Sequence, residues 1–363
     1  MPVMTYREAL RLAMAEEMQR DPEVFIIGEE VAQYQGTFRV TEGLLDKFGP
    51  MRVVDTPISE EGFTALAVGA SMMGLKPVVE FMTINFAMRA MDQIVNHAAK
   101  TYYMSGGQFN CPMVVRGPNG KGEQLAAQHS HALETWFMYM AGLKIVLPST
   151  PADVRALFKT AVRDPNPVIF LEHGALYNLK GEVPEHEDLL PFGQAAVRRE
   201  GKHVTLVSYS RMAQLTMRAA EQLAEQGIDA EVIDLRTLVP MDEDRLAASV
   251  AKTHRAVVIT EEGRTCSVAS EIARRIYGLC FDELDAPVEL VTGPDTPLPY
   301  ARNLERLWAP EETAIVEAAK RALYRRTPGG VVAAGGVYGG TGDAEDGRRN
   351  GGGHYPPMAQ ERR

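Results

Sequence analysis

Apolar residues recur at four-residue steps from Tyr6 through Leu10 and Met14 to Met18, a spacing that lines one face of a helix. Thr5 and Glu8 stand at capping-box spacing around the start of this run, so the helix has a hydroxyl and a carboxylate for its first free N–H groups. The pattern stops at Asp21-Pro22, because the residue before a proline is pushed out of helical geometry. "EVFIIG" follows as a short buried strand, and the alternation then repeats. "RVVDTPI", "KPVVEFM", "CPMVVRG", "KIVLPS" and "PVIFLE" read as strands. Between them "EGFTALAVGASMMG", "AMRAMDQIVNHAAKTYYM", "TWFMYMAG" and "ADVRALFKTAVRD" read as helices. Val/Ile-rich strands without polar alternation, set between amphipathic helices, predict a parallel sheet covered on both faces.

Residues 178–202 turn polar, with two prolines, and lose this rhythm, which marks a domain boundary. A second series follows: strands "HVTLVSYS", "AEVIDLR", "AVVITEE" and "VELVTG", and helices "MAQLTMRAAEQLAEQG", "DEDRLAASVAKT", "SVASEIARRIYG" and "PEETAIVEAAKRALYRR". The expected fold class is α/β with two doubly wound sheets, in domains 1–185 and 190–326. Residues 327–363 are Gly-rich and polar with no apolar period, so a disordered tail is expected there. The halves share an architecture but no internal sequence repeat.

Composition narrows the class. With 45% hydrophobic and 24% charged residues among 363 and a mean hydropathy of −0.17, the chain reads as soluble and globular. A net charge of −10 argues against sequence-independent nucleic-acid binding, which needs a basic face, and suits a basic protein partner. Cys111, Cys266 and Cys280 are odd in number and widely spaced, as buried reduced thiols rather than a disulfide framework or zinc site would be. No apolar run approaches the ~20 residues of a membrane span. "MPVMTYREAL" has neither a signal-peptide core nor transit-peptide character, so the cytoplasm is the expected location.

Phosphate-loop and dinucleotide signatures are absent: "RGPNGKGE" is Gly-rich after a strand but matches neither pattern. His129 and His131 are two apart, roughly 200° around a helix, which excludes the helical zinc spacing. Polar groups at strand ends stand out instead. Glu60 follows the apolar strand "VVDTPI" and opens a helix, at the carboxyl end where doubly wound sheets bind ligands. The plain alternative is that Glu60 and Glu61 both complement the positive helix end, at ~0.3–1 kcal/mol each. Met82 and Phe86 follow the next strand, and His129 in "AAQHSHALE" a third. Taken alone, the first two read as core and the last as a solvated loop residue; together they converge on one cleft.

"DTPISE", "EFMTINFAMRAMDQIVNHAAKTYYMSGG", "RGPNG", "AAQHS", "DLRTLVPMD" and "TGPDTPLPYARNLE" together resemble the beta subunits of the 2-oxo acid dehydrogenase decarboxylase component, with the pyruvate branch the best match. The resemblance runs from about Met4 to Arg325. It implies a thiamine-diphosphate pyrimidine-binding domain followed by a transketolase C-terminal-like domain. It also implies an alpha2beta2 heterotetramer whose alpha subunit holds Mg²⁺ and the diphosphate through a G-D-G…N motif missing from this chain's folded part. By position, Glu60 corresponds to the glutamate that shares a proton with the aminopyrimidine ring, Glu29 to its support, and Ile58, Met82 and Phe86 to the pocket wall. His129 corresponds to a histidine of reductive lipoyl acylation. Met113, Ala161, Val162, Asp164 and Asn166 correspond to a structural potassium site. Glu283 and Asp285 are candidate contacts for the subunit-binding domain of the acyltransferase, a basic module that the −10 charge suits; the lipoyl domain is the other expected partner. No nucleic acid or membrane is expected.

The leading expectation is oxidative decarboxylation of pyruvate with transfer of the acetyl group to lipoamide. Acetoin cleavage and the branched-chain 2-oxo acid reaction are rivals within the family. A non-catalytic assembly subunit is the reading from a different class, disfavoured by an acid set in an apolar cleft.

Overall fold

In the computed structural model, which describes residues 1–186 and 189–324, Val24–Gly28 is buried at every position. Val24 and Ile26 face one apolar layer, and Phe25 and Ile27 the other. Two-residue alternation between two covered faces is what a central parallel strand requires. This strand belongs to a seven-stranded sheet ordered Thr237–Val239, Lys144–Val146, Val168–Glu172, Val114–Pro118, Lys76–Glu80, Val24–Gly28, Val53–Asp55. All neighbours are parallel except the first pair.

One face is covered by helices Tyr6–Arg20 and Pro151–Arg163, which bury Leu10, Met14, Leu157 and Phe158 against Ile26, Val114 and Phe170. Thr5 and Glu8 form the expected capping box, and the first helix ends at Asp21. The opposite face is continuous with the second half of the chain, where Phe81, Phe137 and Leu171 share a core with Val207, Ile233 and Val258. The second sheet runs Glu289–Gly293, Ala256–Gly263, Val204–Ser208, Ala230–Asp234, Ala196–Arg199. Helices Ser210–Glu225 and Glu312–Ala322 close its outer face.

The structure departs from the sequence reading in several places. "AMRAMDQIVNHAAKTYYM" is not one helix. It comprises a 3₁₀ segment Ile84–Ala90, a π-helical segment Gln93–Ala98 and an α-helix Ala99–Met104. Ile84, Ala87 and Ala90 are buried at three-residue intervals, which matches three residues per turn. The second series is not purely parallel: Ala196–Arg199 joins antiparallel, and Thr237–Val239 crosses to the edge of the first sheet. Both strands are too short to show a period. The polar stretch after residue 178 includes Lys180–Glu182, paired antiparallel with Val3–Thr5. Cys111 and Cys280 are buried, but Cys266 is exposed, because it lies in the loop after Ala256–Gly263 at φ 53°. The expected tail, 327–363, lies outside the described residues. Among those residues, no helix is long and apolar enough to cross a membrane.

Under the carboxyl edge of the first sheet, Arg116 is fully buried between two carboxylates that end neighbouring strands. Glu172 receives its Nε and Nη2 at 2.5 Å each, and Glu80 receives Nη1. Tyr177 donates its hydroxyl to Glu172 at 2.7 Å. Burial pushes the Glu80 carboxyl up although Arg116 opposes the shift. Removing one partner of a buried pair strands the other charge at about 3–5 kcal/mol. Arg116→Met is therefore expected to lower the urea unfolding midpoint strongly, while Glu80→Gln, which leaves Glu172 paired, lowers it much less. Equal midpoints for wild type and Arg116→Met in urea titration would remove this role.

Candidate functional site at the carboxyl edge of the first sheet

Parallel strands bring their carboxyl ends to one edge, and the candidate residues leave from four adjacent strands there. Glu60 follows Val53–Asp55, Glu29 follows Val24–Gly28, Met82 and Phe86 follow Lys76–Glu80, and His129 follows Val114–Pro118. Asp55 ties two of these exits together by accepting the N–H groups of Ala32 at 2.6 Å and Gln33 at 2.9 Å.

Glu60 is the first residue of helix Glu60–Met72. It is 4% exposed, whereas its neighbour Glu61 lies in solvent. Ser59 does not cap this helix; its hydroxyl donates to the Pro57 carbonyl at 3.2 Å. The positive helix end is therefore left to the buried carboxylate. Arg89 Nε approaches Glu60 Oε2 at 3.6 Å, an ion pair with a largely exposed guanidinium. Glu29 is buried as well, and its Oε1 has no hydrogen-bond partner among the described residues. Burial, then the charges of Glu60 and Glu30, push the Glu29 carboxyl up.

Glu60, Ile58, Phe86 and Arg89 line a cavity of about 610 Å³. Ile58 sits at its open side, 84% exposed. Phe86 is half-buried and meets the His129 ring edge-on, with centroids 5.3 Å apart. His129 lines a second cavity of about 540 Å³ with Asn119 and His173, opposite Arg211, Arg302 and Glu305 from the second half of the chain. The structure thus brings Glu60, Glu29, Phe86 and His129 together. Met82 is half-buried and lines neither cavity. His129 ends a 3₁₀ turn that starts after Ala126, held at φ 60°, ψ −168°. That region suits only glycine and costs other residues about 1–3 kcal/mol.

Sequence reasoning missed the buried acids at the seam between the two sheets. His173 Nδ1 accepts the Ala175 N–H at 3.1 Å, so Nε2 carries the proton and donates to Glu261 at 2.8 Å. Burial alone would raise Glu261, but His173 and Arg211 hold it down at about 2. Next to it Glu262 accepts the Thr135 hydroxyl at 3.0 Å and the Val268 N–H at 2.5 Å. Burial and the charge of Glu134 push Glu262 up to about 8; Glu134, pushed by burial, reaches about 7. The available signal was the doubled acid ending "AVVITEE", the same kind of signal as Glu60-Glu61.

A family model described as "Transketolase, pyrimidine binding domain" matches residues 3–180, and "Transketolase, C-terminal domain" matches 193–315. "Pyruvate dehydrogenase E1 component subunit beta" of Rhizobium meliloti is 53% identical over 90% of this chain and 71% of its own length. The protein of that name from Rickettsia felis is 53% identical over 88% of this chain and 98% of its own. The mitochondrial beta-1 subunit of Arabidopsis thaliana is 51% identical over 89% and 90%. The chain belongs to the family of pyruvate dehydrogenase E1 beta subunits. A solved structure titled "Split gene transketolase, inactive beta4 tetramer" superposes with a TM-score of 0.72 at 22% identity, over 88% of this chain and 98% of that one, and shares the fold.

As a beta subunit of this oxidoreductase component, the chain carries two further candidate regions. Ala161 and Val162 lie in the last turn of helix Pro151–Arg163, Asp164 follows as its C-cap with Asn166 two residues on, and Met113 directly precedes strand Val114–Pro118. The Met113 carbonyl accepts the Val168 N–H at 3.0 Å, and Asp164 pairs with Lys144 at 2.5 Å and accepts the Asn166 N–H at 2.9 Å. The ammonium of Lys144 already balances Asp164, so any added cation would share that carboxylate. Glu283 and Asp285 are about half exposed and lie beside His254 at 3.7 Å and Arg255 at 2.8 Å. Among the described residues, no cluster of three or more His, Cys, Asp or Glu is arranged for a metal ion.

The folded chain holds protons on Glu134 and Glu262 that an unfolded chain releases near the ordinary value of 4.5. Stability is therefore full below that value and falls as pH rises from about 5 to about 8. Melting curves should show a lower Tm at about pH 8.5 than at about pH 6, and a smaller difference in Glu262→Gln. An unchanged difference in the variant would clear Glu262 of this effect.

Proposed function

We propose that this beta subunit supplies the aminopyrimidine side of a thiamine-diphosphate site completed by an alpha subunit, and that the assembled enzyme oxidatively decarboxylates pyruvate and acetylates a lipoyl group. The observation that carries the reading is Glu60, a carboxylate buried at a strand's carboxyl end, opening onto a cavity walled by Phe86. The unpartnered Glu29 oxygen beside it is a second acceptor waiting for a polar group. An aminopyrimidine has the ring nitrogen and flat apolar faces that such a pocket suits. When bound, the cofactor supplies a nucleophilic carbon for the keto group and an electron sink for loss of CO₂.

The protein's own part follows from its residues. Glu60 holds the proton shared with the ring nitrogen, where a low-dielectric setting strengthens that hydrogen bond. Glu29, whose carboxyl is pushed up by burial and then by the charge of Glu60, stands beside that hydrogen bond. Phe86 gives the ring an apolar wall, and Ile58 stands at the cavity's open side. His129, edge-on to Phe86, gives a proton to the lipoyl sulfur released as the other sulfur takes the acetyl group. Mg²⁺ and the diphosphate are left to the alpha subunit of an alpha2beta2 assembly acting in the cytoplasm. A potassium ion at Asp164 and docking of a basic subunit-binding domain at Glu283 and Asp285 complete the proposal.

In the heterotetramer reconstituted with its alpha subunit, Glu60→Gln is expected to cut decarboxylation ~10²–10⁴-fold, the usual reach of a positioned proton-transfer group, with assembly intact. Turnover like wild type on pyruvate would sink the assignment, and faster turnover on acetoin or 2-oxoisovalerate would redirect it. His129→Ala should slow acetylation of a lipoyl domain far more than decarboxylation read with an artificial electron acceptor; equal losses would remove its role. Replacing K⁺ by Na⁺ should lower Tm in wild type but not in Asp164→Ala. A Tm indifferent to the cation would dismiss the potassium site.

A further inference from the structure

We propose that Asn85 and His131 are positioning residues for His129, pinning its loop to the segment that carries Phe86. The inference rests on the reading of His129 as the proton donor of acyl transfer. Asn85 is buried, one residue before Phe86. Its side-chain oxygen accepts two bonds from one residue, the His131 backbone N–H at 2.9 Å and the His131 ring Nδ1 at 2.6 Å. Its amide nitrogen donates to the Thr83 hydroxyl at 3.1 Å. The amide is therefore oriented with its oxygen toward His131, and the imidazole must carry its proton on Nδ1. Burial, then the charge of His129, disfavours protonation of His131, which agrees with that neutral ring.

The neighbouring bonds stop short of His129 itself. Gly120 N–H donates to the His131 carbonyl at 2.9 Å, Gly122 N–H to the Ser130 hydroxyl at 3.2 Å, and Leu133 N–H to the Asn119 side chain at 2.9 Å. Among the described residues, His129 has a long backbone bond to the Ala126 carbonyl, at 3.4 Å, and the ring contact with Phe86. On the upstream side, Gln124 and Ala126 both sit at positive φ. Such a conformation persists only when its surroundings hold it. The Asn85 bonds are the downstream half of that hold. They are also the link that keeps His129 at a set distance from Phe86, and so from the cofactor pocket. Without them the strained segment relaxes and carries the imidazole with it.

The test uses the heterotetramer with three variants, His131→Ala, His131→Gln and His129→Ala. Each is assayed for lipoyl-domain acetylation and for decarboxylation with an artificial acceptor, and followed by hydrogen exchange across residues 119–133. His131→Ala is expected to slow acetylation ~10–100-fold, as a displacement near 1 Å of a reacting group can do, and to leave decarboxylation nearly unchanged. It should also speed exchange at the Gly120 and Leu133 amides. His131→Gln, whose side-chain N–H can still donate to Asn85, is expected to recover both. Acetylation like wild type in His131→Ala, equal loss in both assays, or no recovery in His131→Gln overturns the inference. If His129→Ala acetylates normally, the acyl-transfer reading falls instead, and the exchange data alone decide whether the loop is pinned through Asn85.

Discussion

A guanidinium taken out of water must be ringed by acceptors, and Arg116 finds them in Glu80 and Glu172, the last residues of the strands on either side of its own. The three charges lie just beneath the edge from which the loops bearing Phe86, His129 and His173 leave. Burial makes the arrangement all-or-none: each charge is tolerable only while its partners stay in register. The relative heights of these strand ends, and so the starting points of the site loops, are thereby set to within a hydrogen bond. Asp55 does the same for the Glu29 and Glu60 exits through two backbone N–H groups.

The second sheet matters to the site because it is not independent of the first. One apolar core runs from Phe81 and Phe137 to Val207 and Ile233, and Thr237–Val239 adds a strand across the divide. The seam also holds charges. His173, Glu261 and Arg211 form one neutralised set, and the acids Glu134 and Glu262 share a second, poorly neutralised one. The cavity containing His129 is walled from both sides of this seam. A subunit built this way presents two hollows, one lined by Glu60 and one by His129, with the Phe86–His129 ring contact between them.

Much of this was legible before any coordinates. The helix from Tyr6 had its period, its capping box and its stop, and each is found in place. Apolar strand runs between amphipathic helices were enough for a parallel sheet, and parallel strands must send their carboxyl ends to one edge. That is why Glu60, Phe86 and His129 could be gathered from three separate stretches. Less legible were features whose signal is short or non-local. Thr237–Val239 has three residues and no period. The 3₁₀ and π segments after Thr83 share composition with an α-helix and differ only in which residues are buried.

The sequence by itself determined the alternation of strand and helix, the edge where chemistry would gather, and the family, because periodicity and long contiguous motifs are properties of neighbouring residues. The tertiary structure decided what depends on distance between remote positions. It buried Glu60 while leaving the adjacent Glu61 in water, set an unpartnered Glu29 oxygen beside it, and turned Phe86 edge-on to His129. It also drew Glu134 and Glu262 into one dry seam and tied His131 to Asn85. Desolvation and pairing act through space, so two identical acids side by side in the chain acquire different roles only once packing has chosen which of them loses its water.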